Sequence, residues 1–203
     1  YLKKISLTNF KNYSQADMEF SPKINCIVGN NGVGKTNILD AIHYLSLTKS
    51  FFNNIDSASI RHDEDFFIIQ GLFVKDGEED NIFCSFHRQK QKMLKRNGKE
   101  YGRLSDHVGR YPVVMISPAD NALITAGSEE RRKFMNKIIS QYNAEYLDSA
   151  LNYNKALQQR NRLLRDFSAS NSFDDEMLSV WDSQLIRYGL FVYSERDILI
   201  NEL

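Results

Sequence analysis

The run Gly29-Asn30-Asn31-Gly32-Val33-Gly34-Lys35-Thr36 constrains this chain more than any other stretch. It fits G-x-x-x-x-G-K-[ST] without a mismatch. Glycines let successive backbone N–H groups turn inward and form a nest for phosphate oxygens. The helix that follows adds the positive end of its dipole. Lys35 is expected to reach the β- and γ-phosphates, and Thr36 to offer its hydroxyl to Mg²⁺. The pattern demands a strand before the loop and a helix after it. Ile24–Val28 is a short apolar run of the kind expected for a buried strand. Lys35 to Leu47 is helical in pattern, with Ile38, Leu39, Ile42 and Leu45 on one face. A Gly-rich turn with a surface lysine is the plain alternative, and this context argues against it.

The bound triphosphate is expected to be ATP. A GTPase needs Asn-Lys-x-Asp, and both Asn136-Lys137-Ile138-Ile139 and Asn154-Lys155-Ala156-Leu157 lack the Asp. Hydrolysis also needs an acidic pair at the end of another buried strand. Val113–Ile116 is followed by Ser117-Pro118, and Ile198-Leu199-Ile200-Asn201-Glu202 lies in a helical pattern. The acidic motif is not found, which leaves a domain that binds without hydrolysing or a chain cut short.

Around the loop the chain reads as strands, then helices. Leu2–Leu7 and Ala16–Phe20 flank a polar-aromatic turn, Asn9–Tyr13. Phe66–Lys75 and Asn81–Arg88 flank Asp76-Gly77, and another pair flanks Asn97-Gly98, both hairpin dipeptides. Tyr111–Ile116 is a further strand candidate. From Ser128, read as an N-cap with Glu129 and Glu130 behind it, one long helix is expected to about Phe167. A loop at Ser168–Asn171 and a loose capping box at Ser172–Asp175 lead into a second helix toward Leu203. The expected class is α/β, with a mixed sheet, an antiparallel β subdomain and a partial helical lobe. The expected division is an ATP-binding lobe over 1–126 and a helical lobe, an antiparallel hairpin, over 127–203.

Charge is uninformative about nucleic acid: Lys+Arg and Asp+Glu each total 26, and a basic stripe can hide inside a neutral average. Tyr142, Tyr146 and Tyr153 interleave with Lys155, Arg160, Arg162 and Arg165, a pattern that serves nucleic-acid contact or a core stripe with a solvated face. Arg131-Arg132-Lys133 either meets phosphate or pairs with Glu129 and Glu130. Gln89–Lys92, with Lys95 and Arg96, guards an edge strand or faces DNA. His43, His62, His87 and His107 show no metal-ligand spacing. Cys26 and Cys84 sit in strand-like runs and are expected to be buried reduced thiols, as in a cytoplasmic protein. No apolar run approaches the roughly eighteen residues of a membrane span.

The order strand, Asn9-Phe10-Lys11-Asn12-Tyr13, strand, Asn25–Val28, phosphate loop, Asn37-Ile38-Leu39-Asp40-Ala41-Ile42 resembles the SMC-like branch of ABC ATPases. Ser117-Pro118-Ala119-Asp120, a short apolar stretch, Gly127-Ser128, then Arg131-Arg132 and Phe134 resembles the RecF family within it. Trp181–Leu203, with Gln184-Leu185, Gly189 and Arg196, resembles it too. The resemblance implies a P-loop NTPase of ABC/SMC-head type and ATP-dependent DNA binding in repair and replication, within the DNA-damage (SOS) response. It implies duplex and gapped DNA, RecO and RecR as partners, RecA loading, and an ATP-dependent homodimer with weak DNA-dependent ATPase activity. It places Lys11 and Asn12 near the nucleotide. The family usually has Arg where Lys11 stands, and Arg is common at Phe52. Signature and acidic motifs expected further along are not present, which implies an N-terminal fragment inactive in hydrolysis. A nucleotide-gated interaction module and another P-loop NTPase are the alternatives.

Overall fold

A computed structural model describes residues 1–202, with the backbone alone for Ala119 and Ala122. The chain divides into two compact units, residues 1–115 and 116–203. The helices expected from Ser128 onward lie in the second.

In the first unit, alternation builds a sheet. β1 (Leu2–Phe10) buries Ile5, Leu7 and Phe10. β2 (Tyr13–Glu19) returns from it, pairing Phe10 with Tyr13 across the Lys11-Asn12 turn. β3 (Phe66–Lys75) buries Phe67, Ile69 and Phe73, and β4 (Glu78–His87) buries Asp80, Ile82 and Cys84. β5 (Met93–Arg96) and the short β6 (Lys99–Glu100) finish the order β2-β1-β3-β4-β5-β6, antiparallel at every pairing. Both expected hairpin dipeptides turn with positive φ at each residue, 53° and 83° at Asp76-Gly77, 51° and 80° at Asn97-Gly98. That geometry matches the right-handed twist of the strands they join.

Helix α1 (Lys35–Leu47) covers one face of this sheet. Its buried apolar face is Ile38, Ala41, Tyr44 and Leu45 rather than the expected stripe, and Leu39 stands half exposed. The rings of Phe10, Tyr44 and Phe67 meet edge to face, with centroids 5.3 to 6.2 Å apart. Each large apolar side chain buried here contributes about 1.5–3 kcal/mol. Gly71 on β3 admits the helix: a Cβ there would lie 2.6 Å from Leu45 Cδ1. The C-terminal carbonyls of α1 are taken up from outside. His107 Nε2 bonds the Leu45 carbonyl at 2.6 Å, and Lys92 Nζ donates to the Thr48 carbonyl at 2.6 Å. A carbonyl only accepts, so His107 carries its proton on Nε2. Burial holds its pKa below the ordinary histidine value. Cys84 is buried, and burial pushes its thiol up to about 12.

Two expected strands do not form. Among the described residues, neither Ile24–Val28 nor Tyr111–Ile116 lies in the sheet. Ile24, Val28, Val114 and Ile116 are all more than four-fifths exposed, and Cys26 is exposed too, against the expectation of a buried thiol. A run of apolar residues becomes a buried strand only beside a neighbouring strand. Near Ile24 the backbone is engaged locally: Asn25 Oδ1 accepts the Ser21 N–H at 2.7 Å and its Nδ2 donates to the Ser21 carbonyl at 2.9 Å. Asx side chains compete with the ladder in this way.

In the second unit the long helix expected from Ser128 is two. After a one-turn helix, α2 (Ala122–Thr125), come α3 (Ser128–Tyr142) and α4 (Ala144–Ser170). Gly127, not Ser128, is the N-cap of α3. Asn143 breaks the run at φ −124° and caps α4, its Oδ1 accepting the Tyr146 N–H at 3.0 Å. Helix α5 (Asp175–Glu202) follows Asn171, which closes α4 at φ 47°, and Asp174 caps it through the Met177 N–H. Leu203 lies outside the described residues. Ile139, Tyr146, Val192 and Leu199 form the core, bordered by Arg196, which donates to the Tyr146 hydroxyl at 3.0 Å and to Asn136 at 2.9 Å. Gly189 allows α5 to approach Tyr153, whose ring would lie 3.1 Å from a Cβ there.

Asp80 fastens the β4–β5 hairpin. Its carboxylate accepts from Arg96 Nε and Nη2 at 2.9 Å, Asn97 Nδ2 at 2.7 Å and the Tyr111 hydroxyl at 2.6 Å. The Arg96 guanidinium above all holds the Asp80 carboxyl at about 2, below its ordinary value. A carboxylate depressed in the folded state adds stability that is full above pH about 4 and lost as pH falls through about 2. Asp80→Asn is expected to cost about 2 kcal/mol at pH 7 and far less near pH 2. Urea unfolding at the two pH values checks this, and an equal cost at both contradicts it.

Candidate functional site

The loop over 29–36 joins no strand and runs into α1 at Lys35. Three glycines carry it through conformations that side chains rarely adopt, at φ 151° for Gly29, 84° for Gly32 and 103° for Gly34. Gly34 is the N-cap of α1, with no side-chain cap bond and no acidic residue in the first turn. Its carbonyl receives the N–H groups of Asn37 and Ile38 at 2.8 and 3.2 Å. A helix start without a capping side chain keeps first-turn donors available to an outside anion.

Lys35 folds back across this loop. Its Nζ donates to the carbonyls of Gly29 at 2.8 Å and Asn30 at 2.7 Å. The ammonium therefore lies against the loop backbone at Gly29 and Asn30. Thr36 is the second residue of α1. Its hydroxyl suits a hard cation that draws its other ligands from phosphate and water. Among the described residues no group of three or more His, Cys, Asp and Glu is placed to hold a metal. Asn31 and Val33 complete the loop.

The β1–β2 turn comes up to the loop. Asn12 Nδ2 donates to the Val33 carbonyl at 3.0 Å, and Asn12 Oδ1 accepts from Asn37 Nδ2 at 2.8 Å. Lys11 has φ 52°, and its Nζ sits 2.6 Å from Asp40 Oδ2 and 5.3 Å from the centre of the Phe52 ring. Asp40 is fully buried and also accepts the Ser50 hydroxyl at 2.7 Å and the Phe51 N–H at 2.6 Å. Of the two residues expected near the nucleotide, the structure brings one against the loop. Asn12 touches the loop, whereas the ammonium of Lys11 is engaged by Asp40.

Asp40 and Asn37 were not among the residues expected here. The signal was an isolated carboxylate one helical turn before Tyr44, on the face α1 buries.

The other basic candidates are mostly engaged within the protein. Lys92 is almost fully buried and pairs with Asp56 at 2.8 Å, and Arg96 pairs with Asp80. Lys133 pairs with Glu129 at 2.9 Å and Glu130 at 2.8 Å, while Arg131 donates to the carbonyls of Leu123 and Ala126. In the helical unit Tyr146 is core and Arg160 pairs with Asp182. His43 Nδ1 meets the Lys49 carbonyl at 2.9 Å, so it and His107 both serve the backbone.

Comparison with known proteins fits this geometry. The family model for the RecF/RecN/SMC N terminal domain matches residues 1–103. The DNA replication and repair protein RecF of Phocaeicola vulgatus is 52% identical over 202 residues, covering 99% of this chain and 54% of that protein. The Flavobacterium johnsoniae protein of the same name is 46% identical over 202 residues, covering 100% of this chain and 56% of its own. The chain spans about half the length of the curated relatives it matches. The solved structure of the recombination mediator protein RecF-ATP in the RecFOR pathway superposes with a TM-score of 0.93 at 32% identity, covering 99% of this chain and 54% of that one. A solved structure concerning ATP-driven dimerisation of SMC ATPases shares the fold, with a TM-score of 0.54 at 23% identity.

The packing of Asn12 over Gly34 makes a direct test. A Cβ at Gly34 would lie 2.5 Å from Asn12 Nδ2 and would carry φ 103°. Gly34→Ala is expected to cost about 1–3 kcal/mol and to lower the melting temperature by roughly 2–12 °C. An unchanged melting curve would show that the loop is not held as described.

Proposed function

The chain belongs to the RecF/RecN/SMC N-terminal domain family, and from that premise we propose that it binds Mg-ATP as part of a RecF-type DNA replication and repair protein. The observation that carries this is the phosphate cradle itself. Three positive-φ glycines, an uncapped helix start and a lysine folded over the loop make an anion site built for a polyphosphate. The backbone N–H groups of Gly29–Thr36 take phosphate oxygens, Lys35 neutralises the β- and γ-phosphates, and the Thr36 hydroxyl holds Mg²⁺. Asn12 and Lys11 belong to the wall of the same site. The family relatives, named for replication and repair, support DNA as the larger partner.

The fuller reading follows the same relatives. The protein binds duplex DNA at single-strand gaps, works with RecO and RecR to promote RecA loading, and pairs with a second copy in the presence of ATP. Its place is the cytoplasm, where that DNA is. No helix among the described residues is long and apolar enough to cross a membrane. Two copies facing each other would each give a phosphate cradle to a composite site, with the second copy closing it over the nucleotide.

Lys35 is the deciding residue. Lys35→Ala is expected to abolish detectable Mg-ATP binding in calorimetric titration, a loss of at least about a hundredfold, or 2.7 kcal/mol. Unchanged affinity would remove the phosphate-loop assignment.

A further inference from the structure

A chain of contacts runs from the middle of α1 to the phosphate loop. Asp40 is fully buried, and both of its oxygens are engaged, by the Lys11 ammonium, the Ser50 hydroxyl and the Phe51 N–H. Lys11 is itself largely buried, roofed by the Phe52 ring, and has a left-handed backbone at φ 52°. A non-glycine residue holds such a backbone only where its surroundings impose it. The two-residue turn and the Lys11 N–H, which donates to the Ser59 carbonyl at 2.9 Å, hold it here, and the ion pair with Asp40 fixes the side chain. The next residue, Asn12, is thereby aimed at the Val33 carbonyl and at Asn37, joining the phosphate loop to the first turn of α1.

We infer that Asp40 is a positioning residue of the nucleotide site, acting through Lys11 to seat Asn12 on the phosphate loop. This rests on the nucleotide-binding reading above. The ammonium of Lys11 is satisfied inside the protein. Carrying it to a phosphate would strand the Asp40 carboxylate in the interior without its counter-charge, which is strongly unfavourable. Lys11 therefore acts on the nucleotide only through the shape it gives the turn. Asn12 is the element that delivers the effect, because its amide steadies the carbonyl directly before Gly34 and Lys35.

The test is a double-mutant cycle read by Mg-ATP affinity, with thermal melting of each variant alongside. Lys11→Met is expected to weaken binding about three- to tenfold, the loss that follows from one displaced hydrogen bond. Asn12→Ala is expected to do the same. The double variant should be no weaker than Asn12→Ala alone, and Lys11→Arg, which keeps the charge and the reach to Asp40, should bind nearly as the unaltered chain. If Lys11→Met fails to fold, Lys11→Met combined with Asp40→Leu removes both buried charges and takes its place in the cycle. Additive losses, or a lowered melting temperature with unchanged affinity, overturn the relay. The unaltered chain and Lys35→Ala report on the nucleotide reading itself. If the unaltered chain does not bind Mg-ATP, both inferences fall. If it binds and the cycle is additive, only the relay falls.

Discussion

Helix α1 begins without a side-chain cap, and the contacts along the rest of the helix fix where that open start lies. An open helix start is a liability unless an anion uses it. Contacts at its end, middle and apolar face anchor α1 on the sheet. Its C-terminal end is fastened by His107 and Lys92, its middle by Asp40, and its apolar face by the aromatic cluster of Phe10, Tyr44 and Phe67. The sheet carries no part of the cradle itself. It supplies the surface on which the helix packs, with Gly71 leaving room for Leu45.

The buried charges serve the same end. Asp40, Asp80 and Lys92 each sit in a network of three or more partners, the condition under which a buried ion is tolerated. Each network ties a turn or loop to a regular element: Lys11 to α1, Tyr111 and Asn97 to β4, the segment before β5 to the end of α1. Positive charge that could have faced a nucleic acid is therefore partly consumed inside the fold.

Much of this was legible in the sequence, and the reasons differ by element. The glycine turn and the start of α1 at Lys35 were readable because the motif sets residue types at fixed spacing. The β3–β4 and β5–β6 hairpins were readable because Asp76-Gly77 and Asn97-Gly98 specify their turns locally. Ile24–Val28 and Tyr111–Ile116 were misread because strand formation depends on a neighbour that local pattern does not reveal. The break at Asn143 was missed because an asparagine within a polar helical run looks neutral until its side chain caps the next helix. Asp40 was missed because its importance lies in Lys11 and Ser50, distant in sequence and adjacent only in the fold.

The central claim is that Gly29–Thr36 cradles a polyphosphate at the open end of α1. Backbone amide chemical shifts, followed by NMR as Mg-ATP is added, address it most directly. The account predicts that the largest shifts fall on Gly32, Gly34, Lys35 and Thr36, with smaller ones on Asn12 and Asn37 and little change in the helical unit. Shifts centred elsewhere, with the loop amides unmoved at saturating nucleotide, would contradict it.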